Sequence, residues 1–179
     1  TMPVRNLPGS ESGTFWTKTL AEDLGEEYEV FMPSMPNKQN AHYEEWKIWF
    51  ERHFEYLRDG AILVGWSLGG MFLAKYLSEN TTPFEIKAVF LLAAPCGTYY
   101  DESGNDCGSF QFDTEILSKM SNFAPKITFL HSKDDFVVPF QHVLEYKKYL
   151  PEAELVTFED KNHFLIPEFT ELLDKIRTK

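Results

Sequence analysis

The chain has 179 residues and a formal net charge of −11, and 43% of its residues are hydrophobic. This length and composition indicate one globular domain with a single core, and they exclude an intrinsically disordered chain. The negative charge repels phosphate backbones and anionic lipid, so we expect neither nucleic-acid binding nor membrane binding.

The sequence lacks the patterns of a secreted or membrane-embedded protein. The longest apolar stretch, residues 88–96, is too short to span a bilayer, and residues 1–10 lack the apolar segment of a signal peptide. Cys96 and Cys107 are too few for a disulfide scaffold, so we expect reduced thiols. We therefore predict a cytoplasmic protein, while the sequence does not indicate its oligomeric state.

Short apolar runs alternate along the chain with stretches of helical periodicity. In the first half we predict a strand at 29–33, a helix at 42–57, a strand at 61–64, a helix at 71–77 and a strand at 88–94. In the second half we predict a strand at 127–130, a helix at 140–150, a strand at 154–158 and a helix at 168–177. The continuous apolar run at 88–94 is typical of a parallel strand that is buried on both faces.

This alternation predicts an α/β fold with a doubly wound, mostly parallel sheet of about five or six strands and helices on both faces. No repeat or linker divides the chain, so we expect residues 1–179 to form a single domain. Ligands of such sheets bind beyond the carboxyl ends of the strands. Polar residues that directly follow a strand are therefore the candidates for a functional site.

The strand at 61–64 runs directly into a G-x-S-x-G motif centred on Ser67, and a helix is predicted to follow. In this context the motif predicts a nucleophile elbow, a sharp turn that exposes the serine hydroxyl above the sheet. The N–H of Leu68 would then point to where negative charge develops in acyl transfer, which makes it one predicted oxyanion-hole donor. The alternative interpretation is a tight turn that only packs the helix against the sheet.

A serine nucleophile needs a general base within hydrogen-bond reach. Five histidines compete for this role: His42, His53, His131, His142 and His163. Only His163 follows the last predicted strand and also satisfies the order serine, acid, histidine that α/β-hydrolases show along the chain. His131 ends a strand beside the acid loop, so we assign it a supporting or packing role.

The acid is expected after the strand at 127–130, where Asp134 and Asp135 are adjacent. The spacing from Asp135 to Val138-Pro139 fits a D-x-x-V-P pattern, so we predict Asp135 as the acid. Asp134 is then a loop-stabilising or capping residue. An ionised carboxylate at Asp135 would fix the tautomer of His163 and stabilise the imidazolium that forms during catalysis.

These segments together resemble the retinoblastoma-binding protein 9-like serine hydrolases of the α/β-hydrolase superfamily. Besides the elbow and the acid loop, the likeness includes Pro8-Gly9, Met35-Pro36-Asn37 and Asn162-His163-Phe164, so it extends over most of the chain. The resemblance implies a minimal hydrolase with little or no cap domain that acts on small esters or related acyl compounds.

Two positions depart from the pattern of that family. The loop after the first strand usually supplies a second oxyanion donor, which here would be Gly9 or Ser10, because Pro8 has no N–H. Asn162 stands where glycine usually precedes the histidine, and Asn tolerates the left-handed backbone conformation better than most residues. We therefore expect the turn before His163 to persist.

Aromatic residues near the predicted site are candidates for a substrate pocket. Trp66, within the elbow, either forms a pocket wall or packs inward. The long loop at 95–113 carries Tyr99 and Phe110, which either shape an acyl pocket or pack locally. Residues 101–106 superficially resemble a calcium loop but lack its glycine and glutamate, so we predict no metal site and no cofactor.

The sequence thus predicts a serine hydrolase that cleaves small carboxylic esters or related acyl compounds through a Ser-His-Asp triad and an acyl-enzyme. Its partner would be a small-molecule acyl substrate. A peptidase or a thioesterase would use the same triad, so the sequence leaves these activities open. The alternative from another class is a catalytically silent α/β-hydrolase fold that acts as a protein-binding module.

Overall fold

The computed structural model describes residues 15–100 and 104–178, which form one four-stranded parallel sheet with helices packed on both faces. The strands lie side by side in chain order: β1 (Ala61–Trp66), β2 (Ile86–Leu92), β3 (Ile127–Ser132) and β4 (Glu154–Phe158). The helices are α1 (Trp16–Leu24), α2 (Tyr43–Arg52), α3 (Leu68–Glu79), α4 (Gln141–Tyr149) and α5 (Thr170–Arg177). The predicted α/β class with helices on both faces is confirmed.

The core is divided into two layers because successive side chains of a strand point to opposite faces of the sheet. On β2, Val89 and Leu91 face a core that is covered by α2, α3, α4 and a 3₁₀ helix at Thr114–Asn122. Phe90 and Leu92 face the other core, which α1 and α5 cover. The side chains of β2 from Ala88 to Leu92 are buried in these two layers, as the continuous apolar sequence predicts.

The prediction of a strand at 29–33 is wrong, because the structure has no strand there. The sheet has four strands in the described residues, fewer than the five or six predicted. Phe31 and Met32 are 39% and 52% exposed, and no neighbouring strand pairs with this segment in the described residues. A run of strand-forming residues becomes a strand only where a partner and a buried face are available.

The helix predicted at 42–57 is shorter than expected. It ends at Arg52, where the N–H of His53 bonds to the carbonyl of Phe50, three residues back, and a short 3₁₀ helix follows at Phe54–Tyr56. Trp49, near the end of this helix, is 39% exposed.

Among the helices of the described residues, none has the length and apolar character that crossing a bilayer requires. No disulfide joins Cys96 to Cys107.

Candidate active site

Ser67 occupies the sharp turn between β1 and α3 that the sequence predicts. Its backbone has φ 54° and ψ −125°, a conformation that non-glycine residues rarely adopt, and its N–H donates to the carbonyl of Leu92 on β2 at 2.8 Å. A Cβ added to Gly65 would lie 2.5 Å from the carbonyl oxygen of Gly69, so only glycine fits there. The turn therefore holds Ser67 at the carboxyl edge of the sheet at a cost in backbone strain.

His163 lies in the loop that follows β4, between two residues with left-handed backbone. Asn162 has φ 47° and Phe164 has φ 57°. The expectation that the turn before His163 persists with asparagine in place of glycine is therefore confirmed. The His163 side chain is buried, and its Nδ1 lies 2.8 Å from Oδ2 and 3.1 Å from Oδ1 of Asp135. The contact fixes the tautomer: Nδ1 carries the proton that faces the carboxylate, and Nε2 is left as the basic nitrogen.

Asp135 follows β3 and is buried in the acid loop. Its Oδ1 accepts hydrogen bonds from the backbone N–H groups of Val137 and Val138, both at 2.8 Å. With His163, the carboxylate therefore faces three hydrogen-bond donors, two of them on Oδ1 from the backbone of its own loop. The structure brings the predicted acid and the predicted base into direct contact.

The adjacent aspartate binds the backbone of the histidine loop. Asp134 Oδ1 accepts from the N–H of Asn162 at 2.9 Å and from the hydroxyl of Ser132 at 2.5 Å, and Ser132 in turn accepts from the N–H of Lys161 at 3.0 Å. Asp134 is thus loop-stabilising, as the sequence suggested. Sequence reasoning missed Ser132, although its position two residues before an aspartate at a strand end is a common site of such bonds.

Trp66 connects the elbow to the histidine loop and is not simply a pocket wall. Its Nε1–H donates to the carbonyl of His163 at 3.0 Å, and the two rings lie 5.7 Å apart. On its other side the indole packs against Trp16 at 5.9 Å. His163 is therefore fixed beside the residue that directly precedes Ser67.

Within the described residues, the Ser67 hydroxyl makes no hydrogen bond to His163, and the bond from Trp66 Nε1–H to the His163 carbonyl joins the elbow to the histidine loop. Catalytic hydrogen bonds are often long without substrate and shorten when it binds.

Leu68 is the first residue of α3, and the N–H groups of the first helical turn have no acceptor within the helix. The N–H of Leu68 lies at the positive end of the helix dipole, and its role as an oxyanion donor stays a prediction. The other two predicted donors, Gly9 and Ser10, lie outside the described residues.

The structure corrects the predicted substrate pocket. Phe110 is 1% exposed and packs edge-on against Trp46 at 4.9 Å, so it belongs to the core beneath α2. The hydroxyl of Tyr99 donates to the carbonyl of Val137, and its ring packs against His142 at 5.0 Å, so Tyr99 braces the acid loop. Of the two interpretations left open for Phe110, the structure shows local packing, because a loop sequence does not reveal which side chains turn inward.

A cavity of about 450 Å³ lies between the long loop after β2 and the start of α4. Neither Tyr99 nor Phe110 lines it, nor does any residue of the predicted triad; its walls are Cys96, Gly97, Thr98, Phe112, Asp113, Thr114, Gln141, His142 and Glu145. In the described parts of the chain, no group of three or more His, Cys, Asp or Glu side chains is arranged to hold a metal. The calcium-like segment predicted not to bind metal includes residues 101–103, which lie outside the described residues.

Comparison with solved structures shows the same fold at low sequence identity. The ydeN gene product from B. subtilis superposes with a TM-score of 0.76 at 18% identity, and the match covers 94% of this chain and 92% of that chain. A meta-cleavage product hydrolase from Pseudomonas fluorescens IP01 has a TM-score of 0.64 at 16% identity, over 94% and 85% of the two chains. A serine hydrolase from Cycloclasticus zankles has a TM-score of 0.61 at 14% identity, over 86% and 74%.

No curated protein sequence matches this chain significantly. A family model described as "Serine hydrolase" matches residues 4–173, a range that includes the elbow, the acid loop and the histidine loop. The chain therefore belongs to the serine hydrolase family.

Proposed function

We propose that this chain hydrolyses small carboxylic esters or related acyl compounds, with Ser67 as nucleophile, His163 as general base and Asp135 as the acid that orients it. The observation that carries the proposal is the buried carboxylate–imidazole pair, 2.8 Å from Oδ2 to Nδ1, beside a strained serine elbow. Backbone strain at a polar residue is characteristic of functional sites, where the surrounding structure has to enforce it.

The reaction would proceed in two acyl-transfer steps. His163 Nε2 takes the proton of the Ser67 hydroxyl as its oxygen attacks the substrate carbonyl, and the same proton then passes to the leaving alcohol. Water, deprotonated by the same nitrogen, then attacks the acyl carbon, and the proton passes to the Ser67 oxygen as its bond to the acyl group breaks and the acid is released. Asp135 stabilises the imidazolium that forms in each step.

The negative oxygen of each tetrahedral intermediate requires hydrogen-bond donors that are already in place. In this proposal the N–H of Leu68 at the start of α3 is one donor. The N–H of Gly9 or Ser10, as predicted from the sequence, is the other. The resemblance to retinoblastoma-binding protein 9-like hydrolases supports small acyl substrates.

The proposal is tested by replacing the nucleophile. We expect Ser67→Ala to abolish hydrolysis of p-nitrophenyl acetate while far-ultraviolet circular dichroism and the melting temperature remain those of a folded chain. Ser78→Ala is the matched control, because Ser78 is a buried serine of α3, the helix that follows Ser67, and among the described residues its hydroxyl donates to the carbonyl of Ala74. Retained turnover in Ser67→Ala, or an equal loss in Ser78→Ala, would contradict the proposal.

The substrate class is tested with the wild-type enzyme. We expect kcat/KM to be highest for acetyl and butyryl esters and to fall for longer p-nitrophenyl esters, for an acyl thioester and for an aminoacyl amide. A preference for the thioester or the amide would be consistent with the triad but would contradict the assignment of esters as the substrate class.

A further inference from the structure

His131 lies beneath the acid loop, at the carboxyl end of β3, and only 1% of its surface is exposed. Its Nε2 lies 2.9 Å from the carbonyl oxygen of Val138 and 3.6 Å from Oδ2 of Asp135. A carbonyl oxygen can only accept, so Nε2 carries the proton of this tautomer and donates it to Val138. The ring is held edge-on against Phe140, with centroids 5.6 Å apart at 87°.

Val138 is therefore held at both of its backbone groups. Its N–H donates to Oδ1 of Asp135 at 2.8 Å, and its carbonyl accepts from His131. The N–H of Val137 also donates to Oδ1, so the turn from 135 to 138 closes around one carboxylate oxygen. The second oxygen, Oδ2, is thereby directed at His163 Nδ1.

We propose that His131 is a positioning residue: by donating to Val138, it fixes the turn that aims the Asp135 carboxylate at His163. This inference rests on the proposed function, in which that carboxylate orients the general base. Among the described residues, no hydrogen bond or ion pair joins His131 to Ser67 or His163, so it acts through the acid and the backbone of the acid loop.

The role of His131 is one of geometry, because the side chain carries no charge near neutral pH. Burial lowers the pKa of His131 below its usual value of 6.5. The titratable groups that face it are Asp135, His163 and His142, and the attraction of Asp135 opposes the effect of burial only in part. Replacing His131 by an amide thus removes no charge, and any change in the pKa of His163 reports the position of the carboxylate.

The test compares three substitutions at position 131. His131→Gln can place an amide N–H where Nε2 stands, His131→Asn carries the same group too short to reach Val138, and His131→Leu has no donor. We expect Gln to retain wild-type kcat/KM, and Asn and Leu to lose roughly 10- to 100-fold, mainly in kcat, as a displaced catalytic carboxylate requires. In the Asn and Leu variants the acid limb of the kcat/KM profile and the pKa of His163 should both move to lower pH.

The pKa of His163 is measured without substrate, from ¹H–¹⁵N correlation spectra of the imidazole nitrogens. Folded Asn and Leu variants with wild-type kcat/KM and His163 pKa would overturn the proposal, and so would a loss in Gln equal to that in Asn. If the wild type cleaves no ester, the proposed function fails, and the His163 pKa of the variants still decides the role of His131. If Asn and Leu do not fold, the same spectra of the wild type decide: we expect a neutral Nε2–H tautomer at His131, and an Nδ1–H tautomer contradicts the proposal.

Discussion

Among single residues, the two glycines of the elbow differ sharply in the space around them. An added Cβ at Gly65 would meet only backbone atoms, 2.5 to 2.8 Å away in Gly69 and Gly70, and these atoms cannot yield without moving the turn. At Gly69 an added Cβ has no heavy atom within 4 Å. The elbow is thus closely packed at Gly65 and open at Gly69.

This difference predicts opposite effects of the same substitution. We expect Gly65→Ala to lower the free energy of unfolding by about 1–3 kcal/mol, as overpacking does. We expect Gly69→Ala to leave it unchanged or to raise it by up to about 1 kcal/mol, because alanine favours helix over glycine. Urea unfolding of both variants measures the effect, and equal destabilisation by the two substitutions would contradict the close approach seen at Gly65.

The adjacent aspartates give a second matched pair. In Asp135→Asn the amide cannot stabilise the imidazolium of His163, so we expect kcat to fall by about 10⁴-fold, the size of loss known for the triad of serine proteases. Asp134→Asn retains an oxygen that can accept from Asn162 and Ser132, so we expect it to keep most of the activity. Steady-state kinetics on p-nitrophenyl acetate would contradict the assignment if Asp134→Asn were the more damaging change.

Between elements, the decisive connections run from β3 to the loop after β4. β3 ends at Ser132, and the residues just beyond it hold both the ring of His163 and the backbone of its loop. Parallel pairing brings the ends of the two strands side by side, with Ser132 opposite Phe158. The sheet thus places the acid loop and the base loop within hydrogen-bond distance of each other.

We predict that Asp134→Ala loosens the loop that carries His163. The variant leaves the N–H of Asn162 to bond with water instead of the carboxylate, so we expect this amide to exchange its hydrogen faster and the free energy of unfolding to fall by about 0.5–1.5 kcal/mol, the net contribution of one hydrogen bond. Glu159→Ala is the control, because its ion pair with Lys133 joins the same two loops with both side chains largely exposed, and such pairs contribute little. Similar exchange of Asn162 in both variants would contradict the role of Asp134.

For the whole molecule, His131 and His142 couple stability to pH. Burial lowers the pKa of both His131 and His142 from the usual 6.5, so the folded chain binds protons at these sites more weakly than the unfolded chain. Their contribution to stability is fully present above about pH 6.5 and is lost as the pH falls through the lowered folded values. Acidification should therefore destabilise the fold.

We expect the melting temperature to be lower near pH 5 than near pH 7.5, with a smaller decrease in His142→Gln, which lacks one of the two groups. Differential scanning calorimetry of both proteins over this range provides the measurement. A melting temperature that rises on acidification, or the same decrease in both proteins, would contradict the direction of these pKa shifts.

The sequence predicts a structural feature well where a local sequence pattern determines that feature, and poorly where distant packing partners determine it. The β1–Ser67–α3 elbow and the order of acid and base follow from motif and strand position, and the structure places Asp135 against His163 as expected. The direction of a loop side chain such as Phe110 depends on distant packing partners, here Trp46. The segment at 29–33 has strand-forming residues but no strand beside it among the described residues.

The central claim is that Ser67 is a nucleophile activated by His163, and a covalent probe tests it most directly. After incubation with a fluorophosphonate, mass spectrometry of the digested wild type should show one phosphonylated residue, Ser67, and His163→Ala should react far more slowly. A wild-type chain that is not modified, or is modified at a residue other than Ser67, would contradict the account, and an unmodified chain would favour a catalytically silent binding module.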